Sequence, residues 1–390
     1  MIAIHSERVI IDNSVRSSWV GIENGKIVYV GDNKPKSEKV YDFEDKYVSP
    51  GFIDLHTHGA GGYDFLKEDE DGILSGTRFQ LAHGATTVLP TISAAPFPDM
   101  CKALKNISKA MKSKACKPNI LGVHMEGPYL SKAQCGAQCT DYITPPHPDD
   151  YINLVKEYGS VITRWTYAPE EDKDGTFCKY LSENGIIPSA GHTNATEEDM
   201  KTAIKNGCSL ITHMFCCTST ITRNKGFRSL GVIESAYLHD ELYIEIIADG
   251  KHLPSDLIKM VVKIKGTDKT ALVTDSLHIA CTDIKEGYMS GTPFIVEDGV
   301  CKLRDRSAFA GSVATMDKLV KVVTKECGFS VTDAVKMACT TPAEILKIKK
   351  GSIKEGYDAD LVVFDEDIDV SDVFVMGEKI ENLEKERKTN

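Results

Sequence analysis

The sequence predicts an α/β protein: a (β/α)8, TIM-like barrel beside a small β-sandwich to which both ends of the chain contribute. Three observations predict it. From Phe52 onward, short apolar runs of strand length alternate with longer stretches of helical period, the pattern of parallel βα units. Eight such runs can be counted, and eight parallel strands with helical crossovers close most naturally into a barrel. Strand-and-turn chemistry precedes the first run and returns after the last. A length of 390 residues suits a barrel of roughly 250–300 residues plus a smaller companion.

Taken in order, the first residues read as short strands at 2–4, 9–11, 18–23, 26–30 and 46–48. Turn-formers such as Glu23-Asn24-Gly25 and Gly31-Asp32-Asn33 separate them. The eight barrel strands are expected at 52–56, 86–90, 120–124, 162–167, 186–190, 209–212, 243–248 and 271–274. Local signals support the helices between them. Thr196 with Asp199 resembles a capping box; Met200, Ala203 and Ile204 form an apolar stripe, and Gly207 can end the helix. Ser330 with Asp333, ahead of Val335, Ala338 and Cys339, repeats the device. After about Thr341 the chain returns to turns at Gly351-Ser352-Ile353 and Glu355-Gly356-Tyr357, then to the buried-looking run 361–364. The expected division is therefore 1–48 with 346–390 as the β domain and 49–345 as the barrel, with a frayed polar tail over 381–390.

Composition narrows the function classes. Hydrophobic residues at 42% and charged residues at 26% describe a soluble globular protein, and no segment reaches the roughly 20 apolar residues of a membrane span. A net charge of −11 disfavours nucleic acid or an anionic membrane as the main partner, while leaving room for a local basic pocket. The first residues show no signal peptide and the twelve cysteines include no CxxC, so reduced thiols and a cytoplasmic location are expected.

Barrel enzymes carry their chemistry at the C-terminal ends of the strands. Those positions hold His56 and His58 after strand 1, Glu126 after strand 3, His192 after strand 5 and His213 after strand 6. Asp249 and His252 follow strand 7, and Asp275 follows strand 8. Imidazole and carboxylate suit zinc, iron and manganese. Residues two apart on a strand share a face, so His56 and His58 can point at one ion while Thr57 packs outside. Singly, each has a bland reading: a loop histidine, a satisfied core histidine, a capping carboxylate. Collected on one rim, they read as a metal site.

The segments HTHGAGGYD, GVHMEGPYL, SAGHTNA, THMF, IADGKHLP, LVTDS, FAGS and TTPAE occur in this order, followed by Gly351, Gly356 and YDADLVVFD. This series resembles that of the N-acetylglucosamine-6-phosphate deacetylases, a branch of the amidohydrolase superfamily, from about residue 47 to 365. The resemblance implies removal of an acetyl group from an amino-sugar phosphate. It implies Glu126, His192 and His213 as ligands of the principal divalent metal (zinc, iron or manganese), with His56 and His58 as in members that hold a second ion bridged by Glu126. It implies Asp275 as general base and then general acid, Asp249 and His252 at the substrate, and Ala137, Cys216, Cys217, Phe309, Ala310 and Gly311 as substrate contacts.

Three departures fall in the substrate pocket. Cys216 and Cys217 stand where the family usually has Asn-Ala, and Gln138 stands where it often has histidine. The usual Arg-Glu-Pro-Gly loop becomes ITRNKGFRSLG, leaving Arg223 or Arg228 as the phosphate-binding arginine. In the family that arginine reaches the neighbouring subunit's site, which implies a homodimer. These changes admit the galactosamine isomer or an unphosphorylated N-acyl substrate. A cyclic amidase would be expected to carry a metal-bridging lysine after strand 4, where this chain has RWTYAPEED. A non-catalytic barrel scaffold would not be expected to keep both Asp275 and the full set of ligands.

Overall fold

The computed structural model describes residues 1–113, 115 and 119–387. Cys116 lies outside them, and the other eleven cysteines are all free thiols, as expected.

The barrel strands run Phe52–Thr57, Ala85–Ser93, Asn119–Ile120 with Val123–Glu126, Ile162–Tyr167, Ile187–Ala190, Leu210–Ile211, Tyr243–Ile246 and Thr270–Leu272. Each is hydrogen-bonded in parallel to the next. Strand 3 is broken at Leu121 and Gly122 by one extra residue relative to strand 2. Gly122 has φ 137°, and a Cβ there would lie 1.9 Å from Thr163 Oγ1, so the break requires glycine.

Strands 8 and 1 share no continuous ladder. The barrel is closed at its C-terminal rim, where Asp275 N donates to His56 O (2.8 Å) and His58 N to Ser276 O (2.8 Å). Asp54, fully buried, adds a clamp: it accepts from Thr274 Oγ1 (2.6 Å), Thr274 N (3.2 Å) and His56 N (3.2 Å). Thr57 packs outside as expected, its hydroxyl 2.9 Å from Ser276 Oγ and accepting from Gln80 Nε2.

The two ends of the chain build one eight-stranded sheet, the expected β-sandwich. Tyr47–Pro50 pairs antiparallel with Leu361–Phe364, stitching the first strands to the last. Lys39–Asp42, which the sequence reading did not include, pairs in parallel with Ile2–Ile11. The run Leu361–Phe364 is buried on both faces. Leu361 and Val363 join Ile4, Val20 and Phe374 in the sandwich core, whereas Val362 and Phe364 enter the barrel's core with Val373 and Val375. Period-two geometry divides one apolar run between two cores.

Helix starts follow their local signals. Thr196 caps Glu197–Lys205 with the reciprocal Thr196–Asp199 bonds, and Ser330 accepts from Asp333 N at the head of Val331–Val335. Two elements differ from expectation. The tail does not fray as far as Arg387: Leu383 is buried, Arg78 pairs with Glu386, and Arg387 donates to Ala82 O and Ser371 O. Residues 388–390 lie outside the described residues. Between strand 8 and the following helix lies a three-stranded antiparallel sheet, Glu286–Met289, Thr292–Glu297 and Val300–Leu303. Among the described residues no helix is long and apolar enough to cross a membrane.

Candidate metal centre and its pocket

Six polar side chains from five strand ends converge on one point. His56 lies near the end of strand 1 and His58 one residue past it, and Glu126 ends strand 3. His192, His213 and Asp275 stand two or three residues past strands 5, 6 and 8. All three have left-handed backbones, with φ of 47°, 29° and 47°. Such φ values are costly for side chains of this size, and they turn each residue inward over the rim.

Two donor groups result. His192 Nε2, His213 Nε2 and Glu126 Oε1 form a near-equilateral triangle of 3.1, 3.1 and 3.2 Å. His56 Nε2 and His58 Nε2 lie 3.3 Å apart; each lies 3.3 Å from an oxygen of Glu126 and 3.2–3.3 Å from Asp275 Oδ1. Bonds of about 2.0–2.1 Å to a tetrahedral cation place neighbouring donors about 3.3–3.4 Å apart. Glu126 belongs to both groups, as a bridging carboxylate would. Imidazole nitrogens aimed at one another without an acceptor between them make poor mutual hydrogen bonds, so this donor set fits a divalent cation.

Every one of these residues is at least nine-tenths buried. Burial by itself opposes ionisation of Glu126, yet the nearby His56 and His192 hold its carboxyl well below the usual range. Burial likewise opposes ionisation of Asp275, and the charges of His56 and His58 outweigh it and bring its pKa down. Both carboxylates are therefore kept as anions, ready to ligate or to accept a proton.

A cavity of about 240 Å³ opens over the centre. Of the residues expected at a substrate, Ala137, Gln138, Cys216, Cys217, His252, Phe309, Ala310 and Gly311 line it, beside Glu126, His192, His213 and Asp275. Gln138 has both ends of its amide committed: Nε2 donates to Glu126 Oε2 (2.6 Å) and Oε1 accepts from Ala94 N (2.9 Å). Here it first holds Glu126 in place. Burial pushes the Cys216 thiol far above its usual pKa, so it presents a neutral wall.

Asp249 does not line the cavity. It stands behind, accepting from His252 Nδ1 (2.8 Å) and from the backbone N–H of Lys251 and His252, which leaves Nε2 as the ring nitrogen free to meet a ligand. Arg223 and Arg228 lie on an exposed hairpin, Thr222–Asn224 with Phe227–Ser229, and neither lines the cavity of its own chain.

Lining residues that the sequence reading missed are Gly136, Phe215, Met289 and Ala308. Met289 comes from the unanticipated three-stranded sheet. Its turns, Ser290-Gly291 and Asp298-Gly299, all have positive φ and were the available signal.

Residues 47–387 match the amidohydrolase family. The chain is 32% identical over 378 residues to an N-acetylglucosamine-6-phosphate deacetylase of Bacillus subtilis (strain 168), covering 95% of this chain and 93% of that one. It is 31% identical over 343 residues to an N-acetylgalactosamine-6-phosphate deacetylase of Shewanella sp. (strain ANA-3), covering 86% and 84%. The crystal structure of N-acetylglucosamine-6-phosphate deacetylase from Pasteurella multocida superposes with a TM-score of 0.90 at 29% identity, over 98% of this chain and 100% of that one. With its fold, its rim of metal-suited donors and these relatives in agreement, this chain belongs to the amidohydrolase family, in the branch of the N-acetylglucosamine-6-phosphate deacetylases.

Proposed function

We propose that the protein is a divalent-metal-dependent hydrolase that deacetylates N-acetylglucosamine 6-phosphate to the free amine and acetate. One observation carries the reading: two clusters of metal-suited donors share Glu126, and Glu126, His192, His213 and the carboxylate of Asp275 line a single cavity. Glu126, His192 and His213 would hold the principal ion, and His56 and His58 a second that shares Glu126. Zinc, iron and manganese all suit these donors. A divalent cation supplies Lewis acidity here, lowering the pKa of water from 15.7 toward roughly 7 and polarising the amide carbonyl.

The chain's own residues do the rest. Asp275 accepts the proton of the attacking water as the new C–O bond forms. It returns that proton to the nitrogen as the C–N bond breaks, since the free amine anion would be a poor leaving group. His252, held by Asp249, meets the sugar through Nε2, while Ala137, Cys216, Cys217, Phe309, Ala310 and Gly311 shape the pocket. Gln138 keeps Glu126 oriented.

Among the described residues, no lysine or arginine lines the cavity. A phosphate there needs a cation from elsewhere, which supports a homodimer in which Arg223 or Arg228 of one subunit reaches the other's site. Phe227, 80% exposed on the same hairpin, is an apolar side chain that such an interface would cover. The location assigned is the cytoplasm.

A second reading, deacetylation of the galactosamine isomer, is favoured by Cys216 and Cys217 and by the similar identity to the Shewanella protein. A panel of N-acetylated hexosamines, with and without 6-phosphate, decides between them. N-acetylglucosamine 6-phosphate should be the best substrate, and Asp275→Asn should lose at least about a hundredfold in turnover while keeping its metal. Turnover close to normal in that variant would remove Asp275 from the chemistry.

A further inference from the structure

We infer that Glu245, held by Arg164, is a positioning residue that fixes His56 for an ion at the His56–His58–Glu126 position; this rests on the metal reading above. Barrel interiors are usually filled by branched apolar side chains. Directly beneath this centre, the layer is instead charged. Arg164 of strand 4 and Glu245 of strand 7 are both 0% exposed and form a two-pronged ion pair, Arg164 Nη1 with Glu245 Oε1 and Nη2 with Oε2. Arg164 also donates to Leu55 O (3.3 Å) and Thr212 Oγ1 (2.9 Å). Arg164 and its bonds thus fix Glu245 relative to strands 1, 4 and 6.

Glu245 faces His56. A neutral imidazole carries one proton, so a ring that ligates through Nε2 must keep that proton on Nδ1. A buried N–H needs an acceptor. His58 Nδ1 has Ser93 Oγ at 3.1 Å, and His192 Nδ1 has Gln134 O at 2.9 Å. His56 Nδ1 and His213 Nδ1 have no hydrogen-bond partner. Of these two, among the described residues only His56 Nδ1 has a carboxylate oxygen within 4 Å, Glu245 Oε2 at 3.9 Å. A shift of roughly 1 Å makes it a hydrogen bond.

The ring's opposite flank is already fixed. His124 packs edge-on against it at 4.4 Å between centroids, and is itself held by Thr91 Oγ1 (3.1 Å) and Thr166 Oγ1 (2.7 Å). Glu245 therefore selects the tautomer that exposes the Nε2 lone pair, and Arg164 keeps the carboxylate in place. Loss of such a partner typically weakens metal binding by about 10–100-fold.

The test uses the metal-free, full-length protein titrated with Zn²⁺ alone by calorimetry. The wild type should take up two ions. Glu245→Gln should bind one of them about 10–100-fold more weakly and the other unchanged, and His56→Ala should lose the same ion. The double variant H56A/E245Q should bind no more weakly than H56A, because Glu245 acts through His56. Glu245→Gln leaves the Arg164 charge unpaired, so R164M/E245Q, which removes both charges, serves if the single variant does not fold; it carries the same prediction.

Two ions bound at wild-type affinity in E245Q would overturn the inference and leave the hydrolase reading standing. So would a wild type that takes a single ion at Glu126–His192–His213, or a double variant weaker than H56A. A wild type that binds no Zn²⁺ would overturn both.

Discussion

At the scale of the residue, burial and charged neighbours together decide what each ionisable group can do, and a pair outside the donor cluster offers a test. His83 lies at the end of the first barrel helix, Glu70–Ala82, with Nδ1 2.8 Å from Asp317 Oδ2. Burial would lower its pKa, but the charge of Asp317 and the hydrogen bond to it raise it to about 10. A folded-state pKa above the unfolded value near 6.5 means the native state holds the proton more tightly. The stabilisation is complete below about pH 6.5 and is lost as pH rises toward 10. Thermal midpoints should thus fall between those limits in the wild type and fall less in Asp317→Asn. Equal slopes in the two proteins would refute the assignment. At the donor cluster, residue type and strand-end position marked His56, His58, Glu126, His192, His213, Asp275 and His252 in the sequence, and the structure brings them to one rim. Gln138's grip on Glu126 and the Arg164–Glu245 pair were not legible, because contacts between strands far apart in sequence leave no local pattern.

Elements were legible where a local physical signal marked their ends. The Thr196–Asp199 box satisfies N–H groups at a helix start that would otherwise lack partners, so its prediction needed no tertiary knowledge. Thr196→Ala should cost about 1 kcal/mol of stability, read as a lowered denaturation midpoint at an unchanged denaturant slope. No loss would mean that Asp199 alone satisfies that turn. The run Leu361–Phe364 was recognised as buried, but only the structure shows that its two faces serve different cores. The tail was misjudged from polarity. Its anchors are Leu383 and the long side chain of Arg387, and a charged residue can bury its stem while its head finds carbonyls. The sheet over 286–303 went unread although its two tight turns were visible, because alternation in short strands is a weak signal beside eight barrel units.

Across the whole molecule, residues that close the barrel also belong to the donor cluster. The bonds that join strand 8 to strand 1 are made by Asp275, His56 and His58 themselves, with Asp54 clamping Thr274 and the His56 backbone. The motif order along the chain was therefore enough to anticipate the site: eight parallel strands leave few places for those residues to go. In the homodimer proposed above, the exposed hairpin carrying Arg223 and Arg228 would supply the phosphate's cation. Arg223→Ala or Arg228→Ala should raise KM for the 6-phosphorylated sugar by at least about tenfold, the loss of one charge-assisted bond, and leave the unphosphorylated sugar unaffected. An equal change for both would discard the phosphate role. The metal centre is tested most directly by one measurement, the anomalous scattering of a crystal grown with Zn²⁺. A peak within bonding distance of Glu126, His192 and His213 together is the predicted result. Those three side chains diverging around empty density, at full zinc saturation, would contradict it.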